Sequence, residues 1–201
     1  MRWALAVGLL FLTAGCGSAH SVAISAGGQI GPLRMDRSSQ AAVVSFAGKP
    51  DAERQGGEGG GFAGFTAVGY GCGATARDDR FPMLETARGR EGPYCETVFW
   101  VNRHTGGLAD FYTSSRKYEE RQGVRIGMKT AQAERLLHRR VDVGCEENVY
   151  LGKRDAALTV GFDGGHPRKV PGSSTLHLVG GHVYAFTLHG ADSDIGIFDC
   201  L

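Results

Sequence analysis

The sequence has almost equal numbers of positive and negative residues, and it has no long hydrophobic run after the one near its start. Its 22 Lys and Arg residues are nearly balanced by 21 Asp and Glu residues, and Arg2 belongs to the leading segment, so the remainder is close to neutral. We therefore expect no nucleic-acid partner and no polybasic cluster that reinforces membrane contact. No later run reaches the roughly eighteen apolar residues of a spanning helix, so we expect attachment rather than insertion.

Common catalytic motifs are also missing. There is no G-x-S-x-G nucleophile elbow and no H-E-x-x-H zinc motif. No two cysteines have the C-x-x-C spacing of a zinc site or a redox dithiol. These absences lead us to expect a protein that is not an enzyme and that uses no metal and no other cofactor.

The first sixteen residues have the pattern of an export signal. Apolar residues 3–12 are too few to span a bilayer but suit the centre of a secretory signal, and small Ala14 and Gly15 precede Cys16. This pattern resembles the lipobox of bacterial lipoproteins, although the leucine lies four places before the cysteine instead of three. The resemblance implies a signal peptide at 1–15, lipidation of Cys16 and anchoring at the extracytoplasmic membrane face. The alternative is an ordinary cleaved signal, which would leave the protein secreted.

The cysteine count agrees with an oxidising compartment. If Cys16 carries lipid, four cysteines remain, namely Cys72, Cys95, Cys145 and Cys200. Four cysteines can pair in three ways. We favour Cys72 with Cys95 and Cys145 with Cys200, because each bridge then stays inside one half of the chain.

The chain divides into a tether and two halves. Residues 16–29 are small and polar and predict a flexible tether, followed by units at 30–122 and 123–201. The halves echo each other at an offset of 91, which places Arg34 on Arg125 and Phe46 on Leu137. We therefore predict an α+β fold of two tandem units, each a short helix packed on an antiparallel β-meander.

Two helices follow from capping and periodicity. The first covers residues 40–47, with Ser38 or Ser39 as its N-cap. The second begins with Thr130 as its N-cap and has residues 139–140 in its last turn, where the helix dipole favours cations. Each is long enough to cover one face of a small sheet.

The remaining ordered segments read as strands. The predicted strands cover residues 62–72, 95–101, 108–113, 148–151, 157–162, 175–179, 182–188 and 195–200. Antiparallel pairing of the first two would bring Cys72 next to Cys95. Residues 102–107 predict a hairpin loop, and Gly180 with Gly181 predicts a two-residue hairpin turn.

Two short segments carry a family resemblance. Residues 126–130, followed by Leu136 and Leu137, and again residues 46–51, are similar to the helix-plus-sheet lipoprotein fold of the outer-membrane assembly factor BamE. Tandem copies of a related unit, each with a disulfide, build the β-lactamase-inhibitor protein, which this chain resembles in size and cysteine count. The first half departs from the pattern at Asp36, where the family has glycine. The resemblance implies the fold and no binding residue.

The titratable residues give no clear active site. His177, His182 and His189 lie near one another in sequence, but a turn at the two glycines would point His189 away from the other two, so we interpret them as incidental. Adjacent acids such as Glu119 and Glu120 face opposite sides of a strand, which does not suit acid–base chemistry at one bond. We therefore predict no catalytic residue and no metal site.

Aromatic residues offer one binding hypothesis. Phe99, Trp100, Phe111 and Tyr112 alternate sides along neighbouring strands. If Trp100 and Tyr112 are exposed together, they form a patch that can anchor a protein partner. The other interpretation is that both faces of the strands are covered.

These observations favour a lipid-anchored protein at the cell envelope that binds an unidentified protein partner and does no catalysis. Extended sheet surfaces suit such a role because they can dock a protein or an extended peptide. An envelope hydrolase with a non-standard site is the main alternative. An inhibitor of a secreted enzyme is a third.

Overall fold

The computed structural model of the chain describes residues 21–56, 63–73, 94–141, 148–153, 156–169, 171 and 174–191. These residues form eleven strands and two short helices, so the fold is mainly β and the predicted α+β class is wrong. The strands are β1 (Val22–Ser25), β2 (Gln29–Ile30), β3 (Leu33–Arg34), β4 (Ala52–Gln55), β5 (Phe65–Gly73), β6 (Tyr94–Asn102), β7 (Leu108–Thr113), β8 (Tyr118–Glu120), β9 (Asn148–Lys153), β10 (Ala156–Lys169) and β11 (Leu176–Gly190). The helices are α1 (Gln40–Ala47) and α2 (Thr130–Leu137). Neither described helix is long and apolar enough to cross a membrane.

The strands form two sheets. The large sheet has seven antiparallel strands in the order β4-β5-β6-β7-β11-β10-β9, and the small sheet has the order β3-β2-β1-β8. In the small sheet, β1 runs parallel to β8. Small-sheet strands and both helices contribute to one apolar cluster with the large sheet.

The two halves of the chain share this large sheet, which overturns the prediction of tandem helix-on-meander units. Strand β7 from the first half pairs with β11 from the second, with Thr113 opposite Phe186. The main cluster likewise joins Val43 and Phe99 to Leu158 and Val183. Because β7 and β11 bond to each other, the two halves share the large sheet and one main core, while the small sheet is formed by strands that all precede residue 123.

Part of the predicted tether belongs to the small sheet. Ile24 in β1 is fully buried, and Val22 pairs with Tyr118 of β8. The side chain of Ile24 belongs to the main apolar cluster. Residues 22–25 are therefore a strand of the fold. Cys16 and the signal segment lie outside the described residues.

The prediction of the first helix is confirmed. Ser39 is its N-cap, and its hydroxyl accepts a hydrogen bond from the backbone N–H of Ala42 at 3.3 Å. Gly48 ends the helix, with its N–H donating to the carbonyl of Val44 at 2.9 Å. Val43 is the buried contact with the core.

The second helix differs from the prediction at both ends. Its N-cap is Lys129, and Thr130 is the first helical residue, 1% exposed and therefore turned into the core. The helix ends at Leu137, because His138 adopts a left-handed conformation at φ 51°. The arginines at 139 and 140 therefore follow the helix instead of forming its last turn.

The predicted hairpin turn at Gly180 and Gly181 is wrong. Both glycines lie inside β11, which pairs with β10 on either side of them. A Cβ atom at Gly181 would lie 2.5 Å from the carbonyl oxygen of Asp163, so only glycine allows the two strands to approach here. In sequence the two glycines indicate a turn, but in the fold they allow β10 and β11 to pack closely.

Candidate functional site

Two neighbouring rows of residues cross the large sheet and face opposite sides. The first, which we call the apolar row, contains Val68, Phe99, Phe111, Leu188, Leu158 and Leu151, each paired with the next across adjacent strands. The second, which we call the polar row, contains Ala67, Trp100, Asp110, His189 and Ala157 in the same order of strands. Because side chains alternate along a strand, the two rows lie on opposite faces.

Asp110 and His189 form a close pair at the centre of the polar row. The imidazole Nδ1 lies 2.6 Å from the carboxylate Oδ1, the Asp110 side chain is fully buried, and the His189 side chain is 19% exposed. A carboxylate bound to one ring nitrogen fixes the orientation of the imidazole and leaves the other nitrogen as its reactive atom. This pair is the arrangement in the described structure that comes closest to acid–base chemistry.

The end of β11 is held in place next to this pair. The carboxylate of Asp36 accepts a hydrogen bond from the backbone N–H of Ala191 at 3.2 Å. A side chain at Gly190 would clash with the same carboxylate, so glycine allows the Asp36 segment to approach the strand. The backbone N–H of Asp36 also donates to the carbonyl of Leu108 at 2.7 Å. Asp36 therefore ties β7 to β11 on the strands that carry Asp110 and His189.

A second set of polar side chains lies beside the pair. Tyr112 is opposite Thr187, which is opposite Thr159, and all three side chains are at most 1% exposed. Within the described residues, the hydroxyls of Thr187 and Thr159 have no hydrogen-bond partner. Burying a hydroxyl without a partner costs about 1–3 kcal/mol. The two buried hydroxyls on this face of the sheet therefore lower the stability of the fold.

Trp100 and Tyr112 are both 0% exposed, so the predicted exposed aromatic patch is wrong. They belong to a second cluster on the polar-row face of the sheet, together with Ala67, Val98 and Ala185. The alternative considered from sequence, that both faces are covered, is the one that the burial supports.

The cysteine predictions have different outcomes. Cys72 and Cys95 occupy directly opposed positions on β5 and β6 and form a disulfide, as predicted. Cys145 and Cys200 lie outside the described residues, as does Cys16.

The histidines are spread along β11. His177 is buried at 9% exposure, His182 is exposed and lies opposite Asp163, and His189 bonds Asp110. Within the described residues, no group of three or more His, Cys, Asp or Glu side chains could hold a metal ion.

The two glutamates of β8 face opposite sides of the strand, as expected. Glu119 bonds the guanidinium of Arg125 and the hydroxyl of Ser21, and these bonds lower the pKa of its carboxyl. Glu120 is 3% exposed, and burial raises the pKa of its carboxyl despite a 2.6 Å bond from the backbone N–H of Gln122. Outside the described part of the chain lie the acidic residues Asp78, Asp79, Glu146, Glu147, Asp192 and Asp194.

Sequence reasoning missed the Asp110–His189 pair. From sequence we interpret His189 as incidental and assign no role to Asp110. A signal was present, because Asp110 is the single charged residue of Leu108–Thr113, a strand in which every residue is buried. A carboxylate in such a strand needs a partner, and the candidates were the histidines of later strands.

Comparison with protein-family models, curated proteins and solved structures finds no match to this chain. What the protein does therefore has to be argued from its geometry and chemistry.

Proposed function

We propose that this protein is a lipid-anchored binding protein of the cell envelope, attached through Cys16 and acting without catalysis. The observation that carries the proposal is the disulfide between Cys72 and Cys95, which joins two paired strands of the large sheet. Disulfides persist in oxidising compartments and are rare in the cytosol. The bond therefore supports export, which the lipobox-like segment at the start of the chain also implies.

The large sheet offers an edge for a protein partner. Strand β4 pairs with β5 on one side, and no other described strand lies on its second side. The far edge of the sheet is approached by the turn after β1, because a Cβ at Gly152 of β9 would lie 3.0 Å from the carbonyl oxygen of Ala26. We therefore assign docking to β4, where an extended segment of the partner can add as a further strand.

Proline substitution tests docking at β4. Gly56 donates its N–H to Phe65 of β5, so alternation directs the N–H of Gln55 outward. Gln55→Pro removes that outward donor, and Gln55→Ala keeps it as the matched control. We expect affinity capture from the envelope to recover one protein with the wild-type chain and with Gln55→Ala, but not with Gln55→Pro. Equal recovery by both variants would contradict docking at β4.

The anchor has its own test. Intact mass of the mature chain should show cleavage before Cys16 and the added mass of acyl chains, and Cys16→Ser should lack both. A mature chain that begins at another residue and carries no acyl group would contradict the anchored form of the proposal.

A hydrolase is the second candidate, favoured by the Asp110–His189 pair. In that role His189 would act as a general base, oriented by the buried carboxylate of Asp110. Ester, peptide and glycan substrates should be screened with the wild-type chain, His189→Gln and the neighbouring control Thr187→Val. Turnover that is lost in His189→Gln and kept in Thr187→Val would establish the enzyme and contradict the binding proposal.

A further inference from the structure

The surface around α2 is strongly basic, although the whole chain is nearly neutral. Positions 121–140, which we call the basic segment, contain six Lys or Arg residues and a single acidic residue, Glu134. The six cations, all exposed, are Arg121, Arg125, Lys129, Arg135, Arg139 and Arg140. The carboxylate of Glu134 accepts a hydrogen bond from the backbone N–H of Val141 at 2.9 Å. Arg125 is paired with Glu119, which lies just before the segment, but the other five cations still outnumber Glu134, so positive charge is concentrated here.

Helix stability does not account for this concentration. Lys129 is the N-cap of α2 and makes no side-chain capping bond. The start of a helix favours Ser, Thr, Asp or Asn as its cap and disfavours a cation, because the helix dipole is positive there. Arg135 lies in the last turn, where the dipole favours a cation. Neither capping nor the helix dipole therefore accounts for a lysine at the start of α2.

An exposed apolar side chain lies among these cations. Leu136 follows Arg135 and is 37% exposed, whereas the inward side of α2 is formed by Thr130, Ala133 and Leu137. A helix surface that combines cations with an exposed leucine suits the interface of an anionic membrane, because headgroups attract the charges and the acyl region accepts the leucine.

The chain enters the described fold next to the basic segment. The hydroxyl of Ser21 donates to Glu119 at 2.7 Å, and Glu119 pairs with the guanidinium of Arg125 at 2.9 Å. A Cβ at Gly123 would lie 3.7 Å from the Glu119 carboxylate and 3.9 Å from Leu136. Ser21 therefore bonds a glutamate that lies, like the exposed Leu136, beside Gly123.

The distance to the anchor is short. Ser21 follows Cys16 by five positions, and five residues span at most about 18 Å when fully extended. An acyl chain on Cys16 therefore keeps the basic segment close to the bilayer, where surface charges still interact across about 10 Å at ordinary ionic strength. By contrast, the exposed cations around α1, Arg34, Arg37 and Lys49, are accompanied by Asp36 and Asp51.

We propose that the basic segment is a membrane-docking surface that binds anionic phospholipid headgroups through its cations and places Leu136 in the interface. The inference rests on the proposed anchoring at Cys16, which brings this surface to the membrane. Docking turns the α2 side of the molecule toward the bilayer. The lipid anchor supplies attachment, and the basic segment sets the orientation.

The test measures lipid binding without the acyl chain, so that it does not depend on lipidation. The full chain carrying Cys16→Ser is mixed with phosphatidylcholine vesicles and with vesicles that contain about one third phosphatidylglycerol, and bound protein is measured by flotation. We expect binding to the anionic vesicles alone, and its loss at about 0.5 M salt.

Two matched variants locate the binding. Lys129→Gln/Arg135→Gln/Arg140→Gln removes three cations from the basic segment, and Arg34→Gln/Arg37→Gln/Lys49→Gln removes three from the surroundings of α1. With about 1 kcal/mol per cation, the first variant should bind anionic vesicles about a hundredfold more weakly. The second should bind like its parent.

Three outcomes would overturn the proposal: equal binding to both kinds of vesicle, equal losses in the two triple variants, or binding that high salt does not affect. Circular dichroism of both variants checks that they keep the fold of the parent. The anchor is judged separately by intact mass, so an acylated chain without anionic-lipid preference overturns docking alone. A chain without acyl groups overturns the anchor alone.

Discussion

The two rows that cross the large sheet differ in chemistry although they are one residue apart on every strand. The apolar row holds Phe99 and Phe111 with ring centroids 4.9 Å apart, and Phe111 contacts Tyr118 of the small sheet at 5.2 Å. The polar row holds Asp110 and His189 at hydrogen-bond distance. The comparison shows why register matters in this fold. If β7 slipped by one residue, Asp110 would take the place of Phe111 beneath the small sheet.

The apolar row is buried throughout, and the polar row is buried at Ala67, Trp100 and Asp110 but partly exposed at His189 and Ala157. The larger difference lies in how each row contributes to the stability of the fold. The apolar row gains from removing hydrocarbon from water, whereas the polar row has to satisfy a carboxylate and an imidazole. Substitutions in the two rows should therefore behave differently, and the following predictions test this.

The largest effect is expected in the apolar row. Phe111→Ala should lower the free energy of unfolding by about 3–5 kcal/mol, because it removes a fully buried ring and leaves a cavity between the sheets. Urea denaturation measures it. Leu136→Ala is the control, since that exposed side chain should change stability by less than about 0.5 kcal/mol. Similar values for both variants would contradict the assignment of the core to this row.

The next effect is expected at the Asp110–His189 pair. His189→Ala should cost about 3 kcal/mol, because it removes the imidazole that bonds the fully buried carboxylate of Asp110. A double-mutant cycle with Asp110→Asn isolates the interaction, and we expect the two substitutions to be non-additive by about 1–3 kcal/mol. Strict additivity would show that the two side chains do not interact in solution.

A pH effect on stability is expected at Glu120, a buried residue of β8 in the small sheet. Burial raises the pKa of its carboxyl above the ordinary value of 4.5, so the folded state holds the proton more tightly than the unfolded state. Its contribution to stability is therefore present below pH 4.5 and is lost as the pH rises through the raised pKa. Glu120→Gln should remove this loss, which for one proton is at most about 1.4 kcal/mol per pH unit.

Denaturation of both proteins at several pH values across this range measures the effect. Glu119, whose pKa is lowered by Arg125 and Ser21, contributes in the opposite sense, since its stabilisation is lost as the pH falls. The parallel variant Glu119→Gln therefore serves as the control. Identical pH profiles for Glu120→Gln and the wild type would show that Glu120 is not a buried carboxyl in solution.

The smallest effect is expected at the hydroxyls next to the polar row. Thr187→Val should leave stability unchanged or raise it by up to about 1 kcal/mol, because no described group bonds that hydroxyl. Thr97→Val is the control, because the Thr97 hydroxyl bonds that of Thr113 at 2.8 Å, and its loss should cost about 1 kcal/mol. Thermal denaturation separates the two signs. A clear loss of stability in Thr187→Val would mean that its hydroxyl is satisfied.

Several elements could be predicted from sequence because their signals are local. The helix at Gln40–Ala47 follows from Ser39 and Gly48 at its ends, and the bounds of Leu108–Thr113 match the predicted strand. The bond between Cys72 and Cys95 follows from two strands adjacent in the chain, one closed and one opened by a cysteine. Each of these predictions depends on residues that are close in sequence or lie in consecutive strands.

The errors arose where distant segments meet. The pairing of β7 with β11 joins the halves into one sheet, and no local pattern indicates it. The same pairing brings together Asp110 and His189, which are 79 positions apart in sequence. Gly180 and Gly181 predict a turn from sequence, because the close approach of β10 that excludes a side chain at Gly181 is not visible there. The basic segment did have a local signal, but the near-zero total charge hid it.

Local signals in the sequence indicate most of the described strands, both ends of the first helix and, as the favoured one of three pairings, the bond between Cys72 and Cys95. These properties depend on capping, alternation and spacing, which act over a few residues. Only the tertiary structure decided the order of the seven strands, the burial of Trp100 and Tyr112 and the pairing of Asp110 with His189. The physical reason is that strand pairing and burial depend on which distant surfaces meet, and each strand taken alone could satisfy its hydrogen bonds with more than one partner.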